Sequence, residues 1–588
     1  MAFDGLLLFA LTSELNKELM GARIDRIFQP ERELLIINIR NNRQNYRLLI
    51  STAPDSARIH TTDSTFTNPK QPPTFCMSLR KHLEGGRISG FYQQPLERMI
   101  SVEIETYDEL GEPVKRILRC ELMGKHSNVV LLTEQDKILD ALKRFNAFMN
   151  EYRQILPGLP YTPPPEQHKA NPFTLSEDTF IELLLNQPLE RKVSKGLLTA
   201  LSGFSPQSCK QVLSRAGLGT DLTIEKCGQY DFSIMWQALN GMLKELKESA
   251  YTPTLVSIAG TFNKYSPFDL SPEAENEQKN HFPTINKALD TFFSEKRDQK
   301  LINEMQYSLN TKLKSEINRL TKKITINQKK LQEAVDAQEF RIMGEIITAN
   351  IYRTKPGQKE LAAKNFYTDE TVTIPLKPQL TPADNAQRYF KRYQKAKKGG
   401  EVAKRHLKEA EDQLRYLESI QQAVLNSEYV LDLEEIKQEL IAANIISKKP
   451  VKKNEKTQPQ RSQPRQLKSS DGITILVGKN NRQNDIITLK LAKSDYTWLH
   501  VKDIPGSHVV ISAAEFPRTT LEEAALLAAF YSKARASANV PVDYTLVKHV
   551  RKPKGAKPGM VIYDHQKTLF VTPDELIVKK LERTNLNA

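Results

Sequence analysis

Several stretches of the sequence place charged and hydrogen-bonding side chains where packing alone gives no reason for them. In residues 124–128 (GKHSN) a glycine is followed by Lys125, His126, Ser127 and Asn128, directly before an apolar run. Such a loop offers several donors to an anion or a base edge; the alternative is a polar β-turn with a solvated Lys and His. Glu97 and Arg98 stand between Pro95 and the strand-like run 99–104. They set a carboxylate and a guanidinium at a strand entrance, although the same dipeptide also reads as a surface ion pair. A third polar cluster, residues 51–60 (STAPDSARIH), contains Arg58 and His60. In residues 381–400, Lys391, Arg392, Lys395, Lys397 and Lys398 are interleaved with Tyr389, Phe390 and Tyr393. That pattern suits RNA, with cations for phosphates and rings for bases; a solvated helix face with its rings packed inward is the competing reading. Residues 547–563 hold Lys548, His549, Arg551, Lys552, Lys554 and Lys557, with no acid until Asp564. Like charges at that density repel unless a phosphate backbone, or simply solvent, compensates them. His500, Lys502 and His508 lack a second ligand group at suitable spacing, which argues against a metal site.

These side chains must be carried by more than one domain. Residues 1–168 mix strand signals (34–39, 46–50, 100–104, 129–132) with an amphipathic helix at 11–19. Pro163, Pro164 and Pro165 mark a boundary, after which residues 169–285 read as helical. Within that segment, residues 196–218 look like paired helices with glycine hairpins at Gly203 and Gly217, a form that presents backbone N–H groups to phosphate; a plain helical bundle is the alternative. Residues 286–446 carry two heptad seams, Leu313, Ile317, Leu320, Ile324 and Leu331 in one arm and Leu407, Ala410, Leu414 and Leu417 in the other. Antiparallel pairing within the chain costs little loop entropy, whereas a parallel homodimer zipper would also cover each stripe. The middle insert 344–382 alternates like a small β cap. Residues 447–470 read as a basic, disordered linker. Residues 471–576 read as a compact α+β unit with strands at 473–477, 486–489 and 568–571 and a helix at 521–536, followed by a tail at 577–588. The fold class is therefore multidomain α+β.

The 588 residues carry a net charge of +15, and the isoelectric point is near 9.3. A basic excess of that size points to a polyanion, with nucleic acid ahead of an anionic membrane surface. No run approaches the roughly 18 apolar residues of a spanning helix, and the apolar start follows Asp4 rather than a cationic region, so no secretion signal, anchor or membrane role is expected. Cys76, Cys120, Cys209 and Cys227 have no CxxC spacing, which fits a reducing cytosol.

Five blocks, MAFDG at the start, ARIH at 57–60, PPTFCMSLRKHLEGGRI at 72–88, ELMGKHSNVVLL at 121–132 and ILPGLPYTPPP at 155–165, closely resemble the NFACT family. The blocks at 495–511 and 547–563 resemble that family's C-terminal RNA-binding domain, so the resemblance spans essentially the whole chain. It implies a glycosylase-like N-terminal domain, a helix-hairpin-helix unit, a long antiparallel coiled-coil hairpin with a small β insert, and a C-terminal RNA-binding domain. Glycosylase chemistry itself is not expected, because the chain begins Met1, Ala2, Phe3 and lacks the N-terminal proline nucleophile. The resemblance implies a ribosome-associated quality-control factor without cofactor or metal that performs no covalent chemistry. Its partners would be the large ribosomal subunit (rRNA and a stalk-base protein), a stalled peptidyl-tRNA and alanyl-tRNA used for template-free alanine tailing. The family's tRNA-recruiting positions fall on Asp4, Glu97 and Arg98; Glu97 replaces the family's Asp and adds a methylene. Arg58, His60, Lys125, His126, Asn128, Lys391, Arg392, Lys395, Lys502, His508, Lys548, Arg551, Lys552, Lys554 and Lys557 complete the candidate RNA contacts. The family's older description implies a different class of function, a surface adhesin that binds fibronectin.

Overall fold

The structure is a computed structural model that describes residues 3–258, 260–270, 274, 276–447 and 462–584. It divides into two compact units, Met1–Arg297 and Asp298–Ala588.

The first unit begins with α1 (Gly5–Leu19), whose Leu8, Leu11, Leu15 and Leu19 recur at helical spacing and are fully buried. Around it run β1 (Arg23–Glu31), β2 (Leu34–Asn41), β3 (Gln44–Ser51), β4 (Arg58–Thr61), α2 (Thr74–Leu83), β5 (Arg87–Gln93), β6 (Met99–Tyr107), β7 (Pro113–Glu121), β8 (Asn128–Thr133) and β9 (Ile138–Ala141). The strands form one nine-stranded sheet in the order β4-β3-β2-β1-β5-β6-β7-β8-β9, with antiparallel neighbours throughout. The sheet has apolar side chains on both faces: Ile37 and Ile39 of β2 join the main core, and Ile36 joins a separate cluster with Leu34 and Leu49. Four helices follow: α3 (Glu177–Leu185), α4 (Val193–Ala200), α5 (Pro206–Arg215) and α6 (Gln229–Lys247). The expected helical character of 169–285 ends there. β10 (Thr254–Ile258), β11 (Thr261–Ser266) and β12 (Glu277–His281) form a three-stranded sheet. The largely exposed, polar β12 (EQKNH) has no apolar alternation by which sequence could reveal it.

α7 (Ile285–Asp336) starts in the first unit, where Phe292 and Phe293 enter the core, and continues into the second. There Ile302, Leu309, Leu313 and Leu320 share a core with Ala410, Leu417, Ile420 and Val424 of α9 (Pro382–Leu425), after α8 (Gln338–Ala349), β13 (Glu360–Lys364) and β14 (Thr371–Pro375). Gln306 donates to the Val424 carbonyl at 3.0 Å, while a Cβ on Gly400 would lie 2.5 Å from that of Ala334. Contacts near the start of one helix and the end of the other make the pair antiparallel, so each apolar stripe is covered by the other arm. Within the insert, residues 344–349 are helical rather than extended. Ile346 and Ile347 pack with Tyr389 of α9, and Gly344 meets the Phe390 ring so closely that a Cβ would stand 2.9 Å from it. Only β13 and β14 form the small antiparallel hairpin.

After α10 (Val430–Ala442), residues 448–461 of the expected linker lie outside the described residues. The end of that segment is not linker: β15 (Arg465–Lys468) pairs with β16 (Thr474–Val477), burying Leu467. α11 (Asn481–Ile486), β17 (Thr497–Val501), β18 (Val509–Ile511), α12 (Arg518–Phe530), β19 (Val540–Leu546), β20 (Val550–Arg551), β21 (Ile562–Tyr563), β22 (Lys567–Val571) and α13 (Glu575–Thr584) complete the chain. The strand expected at 486–489 is instead a continuation of α11, because the Asn480 side chain accepts from the Gln483 N–H at 2.9 Å and starts a helix there. The expected tail from 577 is likewise α13, which buries Val578 and Leu581 against α12. The sheet order is β15-β16-β18-β17-β19-β22. Alanine-rich α12 lies on one face of this sheet with Leu499, Val501, Val509 and Ile511, whereas Trp498 and Val510 project to the other.

Candidate nucleic-acid interface

Three segments distant in sequence meet at the start of α1. Asp4 caps the helix, its Oδ1 accepting from the Leu7 N–H at 2.9 Å. The other carboxylate oxygen accepts from the Ser205 hydroxyl at 2.7 Å and from that of Ser208, both at the N-terminus of α5. The α4–α5 hairpin returns the contact through the Gly203 carbonyl, which accepts from the N–H groups of Gly5 and Leu6 at 3.0 and 3.3 Å. The third segment is the turn before β6, fixed by Gln93, whose amide donates to the carbonyls of Gly5 at 2.9 Å and Glu97 at 2.8 Å. No side chain fits between these segments: a Cβ at Gly5 would stand 1.8 Å from the Leu96 carbonyl oxygen, and one at Gly203, where φ is +78°, would stand 2.6 Å from the Leu96 Cβ.

The result is a cleft of about 280 Å³ lined by Asp4, Glu97, Arg98, Lys169, Ser202 and Ser205, among others. The three positions implied by the family resemblance therefore line one site. They are not equivalent. Asp4 is 6% exposed and both its oxygens are bonded, and burial raises its pKa from the ordinary 3.8 despite the serine and backbone bonds and the more distant Arg98. Glu97, Arg98 and Lys169 are half-buried, and among the described residues their side chains make no hydrogen bond or ion pair. A carboxylate and two cations at a cleft mouth, with no internal partners, are available to a ligand. Asp4 is held back from it and instead secures the walls.

Several other sequence candidates are corrected by burial. Arg58 donates to His60 Nε2 at 3.1 Å and to the Ser56 carbonyl, and its guanidinium lies 4.1 Å from the centroid of Phe293. Burial lowers its pKa to about 10, and burial together with Arg58 holds His60, only 1% exposed, down at about 3. This pair anchors β4 to α7 and is closed to RNA. Asn128 is also structural, its amide donating to the Lys143 carbonyl and its oxygen accepting from the N–H groups of Val129 and Lys143, each at 2.9 Å. Lys125 and His126 of the same loop are exposed. The Gly203 hairpin caps α1 with its carbonyl, and its residues 202–206 line the cleft.

Along α9, Lys391, Arg392 and Lys395 join Arg388 at helical spacing on an open groove of about 550 Å³. Tyr389 and Phe390 turn inward to the insert, and Arg392 lies 3.9 Å from the Phe340 ring centroid. Arg388 and Arg392 therefore lie against the rings packed on the insert as well as lining the groove.

In the C-terminal domain part of the basic loop is neutralised from within. Arg551 pairs with Asp564 at 2.6 Å and Lys552 pairs with Asp485. Lys557 is half-buried with its ammonium 4.5 Å from the Tyr416 ring centroid. Lys502, Lys548 and Lys554 remain exposed, whereas His508 is 2% exposed and bonded to Thr488 at 2.8 Å. His549, Asp564 and His565 offer ligand atoms within 4.8 Å of one another, the arrangement among the described residues that could hold a metal ion, but Arg551 already engages the Asp564 carboxylate.

The sequence profile described as NFACT N-terminal and middle domains matches residues 4–459, and that described as NFACT protein RNA binding domain matches residues 464–564. The chain belongs to the NFACT family. It is 39% identical to the Rqc2 homolog RqcH of Bacillus subtilis, over 99% of this chain and 100% of that one. It is 22% identical to human ribosome quality control complex subunit NEMF over 59% of this chain and 33% of that one. The solved N-terminal part of the fibronectin/fibrinogen-binding protein from Streptococcus suis is 32% identical, covering 50% of this chain and 99% of that one with a TM-score of 0.41. Among the described residues no helix is long and apolar enough to cross a membrane.

Sequence reasoning missed Lys169 and the two serines. A lone lysine remote from Arg98 gives no local signal. Ser205-Pro206 does, as a helix cap followed by proline at the first helical position, and it marks where a hydroxyl would be free to meet an anion.

Proposed function

We propose that this chain is a ribosome-associated quality-control factor of the cytoplasm. It binds large ribosomal subunits that carry a stalled peptidyl-tRNA and recruits alanyl-tRNA for template-free alanine tailing. The observation that carries this reading is the end-to-end similarity to the Bacillus subtilis Rqc2 homolog, together with an RNA-binding family domain at residues 464–564. The cleft supports it: Glu97, Arg98 and Lys169 line it without a side-chain hydrogen bond or ion pair among the described residues, with a geometry fixed by Asp4, Gly5 and Gly203. Arg98 and Lys169 would take phosphate, and Glu97 would accept from a base edge or a ribose hydroxyl. The stripe of Arg388, Lys391, Arg392 and Lys395 would add phosphate contacts to ribosomal RNA. The protein would act by position rather than by covalent chemistry, since the bond would form in the ribosome's peptidyl-transferase centre.

The test is to purify the wild-type and Arg98→Ala proteins from cells at moderate salt and sequence the RNA that accompanies each. The reading requires large-subunit rRNA with both proteins, and one enriched tRNA with the wild type alone. Absence of ribosomal RNA from both would overturn it, and a wall-associated protein on cell fractionation would then favour the fibronectin-binding alternative.

A further inference from the structure

Residues 145–155 close a loop at the end of the nine-stranded sheet where β9 finishes. Phe145 and Ile155 exchange backbone hydrogen bonds at 3.3 and 2.9 Å, and Arg153 anchors the returning limb through bonds of 2.7 and 2.6 Å to the buried Glu121. Between these anchors the backbone is held from within. The Asn146 side chain accepts from the N–H groups of Phe148 and Met149, and that of Asn150 from those of Tyr152 and Arg153. The side chains of the tip nevertheless face solvent: Phe148 is 99% exposed, Met149 73% and Tyr152 59%. Neither the Phe148 nor the Tyr152 ring packs on another ring or a cation among the described residues. Three large apolar side chains within five residues, on a tip whose backbone is already fixed, form a surface for a partner.

The loop stands beside the α1 cleft. Glu121 faces Met99 across the β6–β7 ladder, and the Leu122 N–H donates to the Arg98 carbonyl at 2.8 Å, so the carboxylate that holds Arg153 adjoins the strand entrance carrying Arg98. The other limb is tied in by Asn128, whose amide donates to the Lys143 carbonyl, and this brings up the turn with the exposed Lys125 and His126. One end of the sheet thus carries Arg98, then Lys125 and His126, then the aromatic tip. Of the other charges there, Arg144 is paired with Asp140 and Lys143 with Glu33, and Glu151 is the acid of the tip itself. Arg98 and Lys125 make no ion pair among the described residues.

We infer that Phe148 and Tyr152 form a stacking platform for unpaired bases of an RNA whose phosphates run past Lys125 to Arg98. An open aromatic ring takes any base on its face, but only a base that is unpaired and splayed out can reach it. The platform therefore selects a single-stranded loop over a duplex, which cations alone do not do. A protein groove would also receive Phe148 and Met149, yet it gives no role to the cations between the tip and the cleft. This rests on the reading that the cleft takes tRNA. It adds the kind of RNA segment that is held there, through residues that the family resemblance does not single out.

The experiment titrates the full-length protein against labelled unfractionated tRNA and against a blunt-ended RNA duplex. Phe148→Ala is expected to bind tRNA about 10-fold more weakly, the worth of one stacked base, and to bind the duplex as the wild type does. Phe148→Tyr keeps the ring and is expected to keep the affinity, whereas Phe148→Leu keeps an apolar side chain without a stacking face and is expected to lose it. Tyr152→Ala gives an independent measurement at the second ring, and melting of each variant confirms its fold. Wild-type affinity in Phe148→Leu, or in Phe148→Ala and Tyr152→Ala together, would overturn the inference. So would a protein lost from Phe148→Ala complexes while tRNA affinity is unchanged. Sequencing the RNA that accompanies Phe148→Ala from cells separates the two sources of an unpaired loop, tRNA and ribosomal RNA. Loss of tRNA from Arg98→Ala but not from either tip variant would refute the platform alone and leave the proposed function standing; no tRNA with the wild type would remove both.

Discussion

Asp4→Asn separates two roles that a family resemblance merges. If the Asp4 carboxylate itself recruits tRNA, removing its charge abolishes recruitment. The structure argues for the other outcome, because Oδ1 is occupied by the Leu7 N–H and Oδ2 by the hydroxyls of Ser205 and Ser208. Asn is among the best helix caps, and its amide NH2 can donate to serine hydroxyls, which rotate to accept. Burial raises the Asp4 pKa above 3.8, so the native state holds the proton more tightly than the unfolded chain does. Between 3.8 and the raised value stability falls as pH rises, and above it the cost of the buried charge is fully present. Asp4→Asn removes that cost, so it should melt at or above the wild-type temperature at neutral pH, and the difference should shrink as pH falls toward 3.8. Asp4→Ala is the contrasting variant. It loses a cap worth about 1 kcal/mol and strands buried hydroxyls at roughly 1 kcal/mol or more each, together about 3 kcal/mol. In a unit of this size that is a fall of roughly 6–12 °C. The assays are calorimetric melting across pH and tRNA recovered with purified protein. A folded Asp4→Asn protein at wild-type stability that brings no tRNA would refute the positional argument.

Arg98→Ala should behave in the opposite sense: with no side-chain hydrogen bond or ion pair among the described residues to lose, its stability should stay within about 0.5 kcal/mol of wild type while the accompanying tRNA disappears. Gly203→Ala forces a side chain into a left-handed backbone 2.6 Å from the Leu96 Cβ, and should cost more than about 1 kcal/mol and reduce tRNA recovery together, as read by melting and RNA sequencing. Arg153→Met leaves the fully buried Glu121 without its guanidinium at 2.6 Å and should cost about 3–5 kcal/mol by chemical denaturation, although neither residue touches a candidate site. Replacing Lys391, Arg392 and Lys395 together by Ala should weaken ribosome binding at every sequence and lower the slope of log affinity against log salt by roughly 2–3, measured by titration.

What the sequence made legible follows the strength of its periodicities. Leu313, Leu320, Ala410 and Leu417 sit at heptad steps and do pack together, because a stripe repeated over many turns is hard to satisfy in any other way. Short apolar runs were less decisive. Ile346-Ile347 and Ile486-Ile487 look extended by composition, yet both are helical, one because Gly344 lets the helix close on Phe390 and the other because Asn480 caps it. Strands with little apolar content, such as Arg465–Lys468 and Glu277–His281, owe their existence to a neighbour's open edge rather than to their own residues. At the candidate site Glu97 and Arg98 could be singled out, but the loss of Arg58, His60 and Asn128 to the interior could not. An arginine followed by a histidine reads the same on either side of a strand, and its side is decided by Phe293, more than two hundred residues away.

The same distinction bears on how the site would work. The residues at the α1 cleft fall into those bonded to one another, Asp4, Ser205 and Ser208, and those that make no side-chain hydrogen bond or ion pair among the described residues, Glu97, Arg98 and Lys169. A ligand gains most from groups whose hydrogen bonds remain unspent and whose backbone is already fixed, since it then supplies partners without having to order the site. Gln93 fixes the backbone at Glu97 through its carbonyl, while among the described residues the Glu97 side chain makes no hydrogen bond or ion pair. The added length relative to the aspartate that the family resemblance implies therefore bears on where the carboxylate reaches.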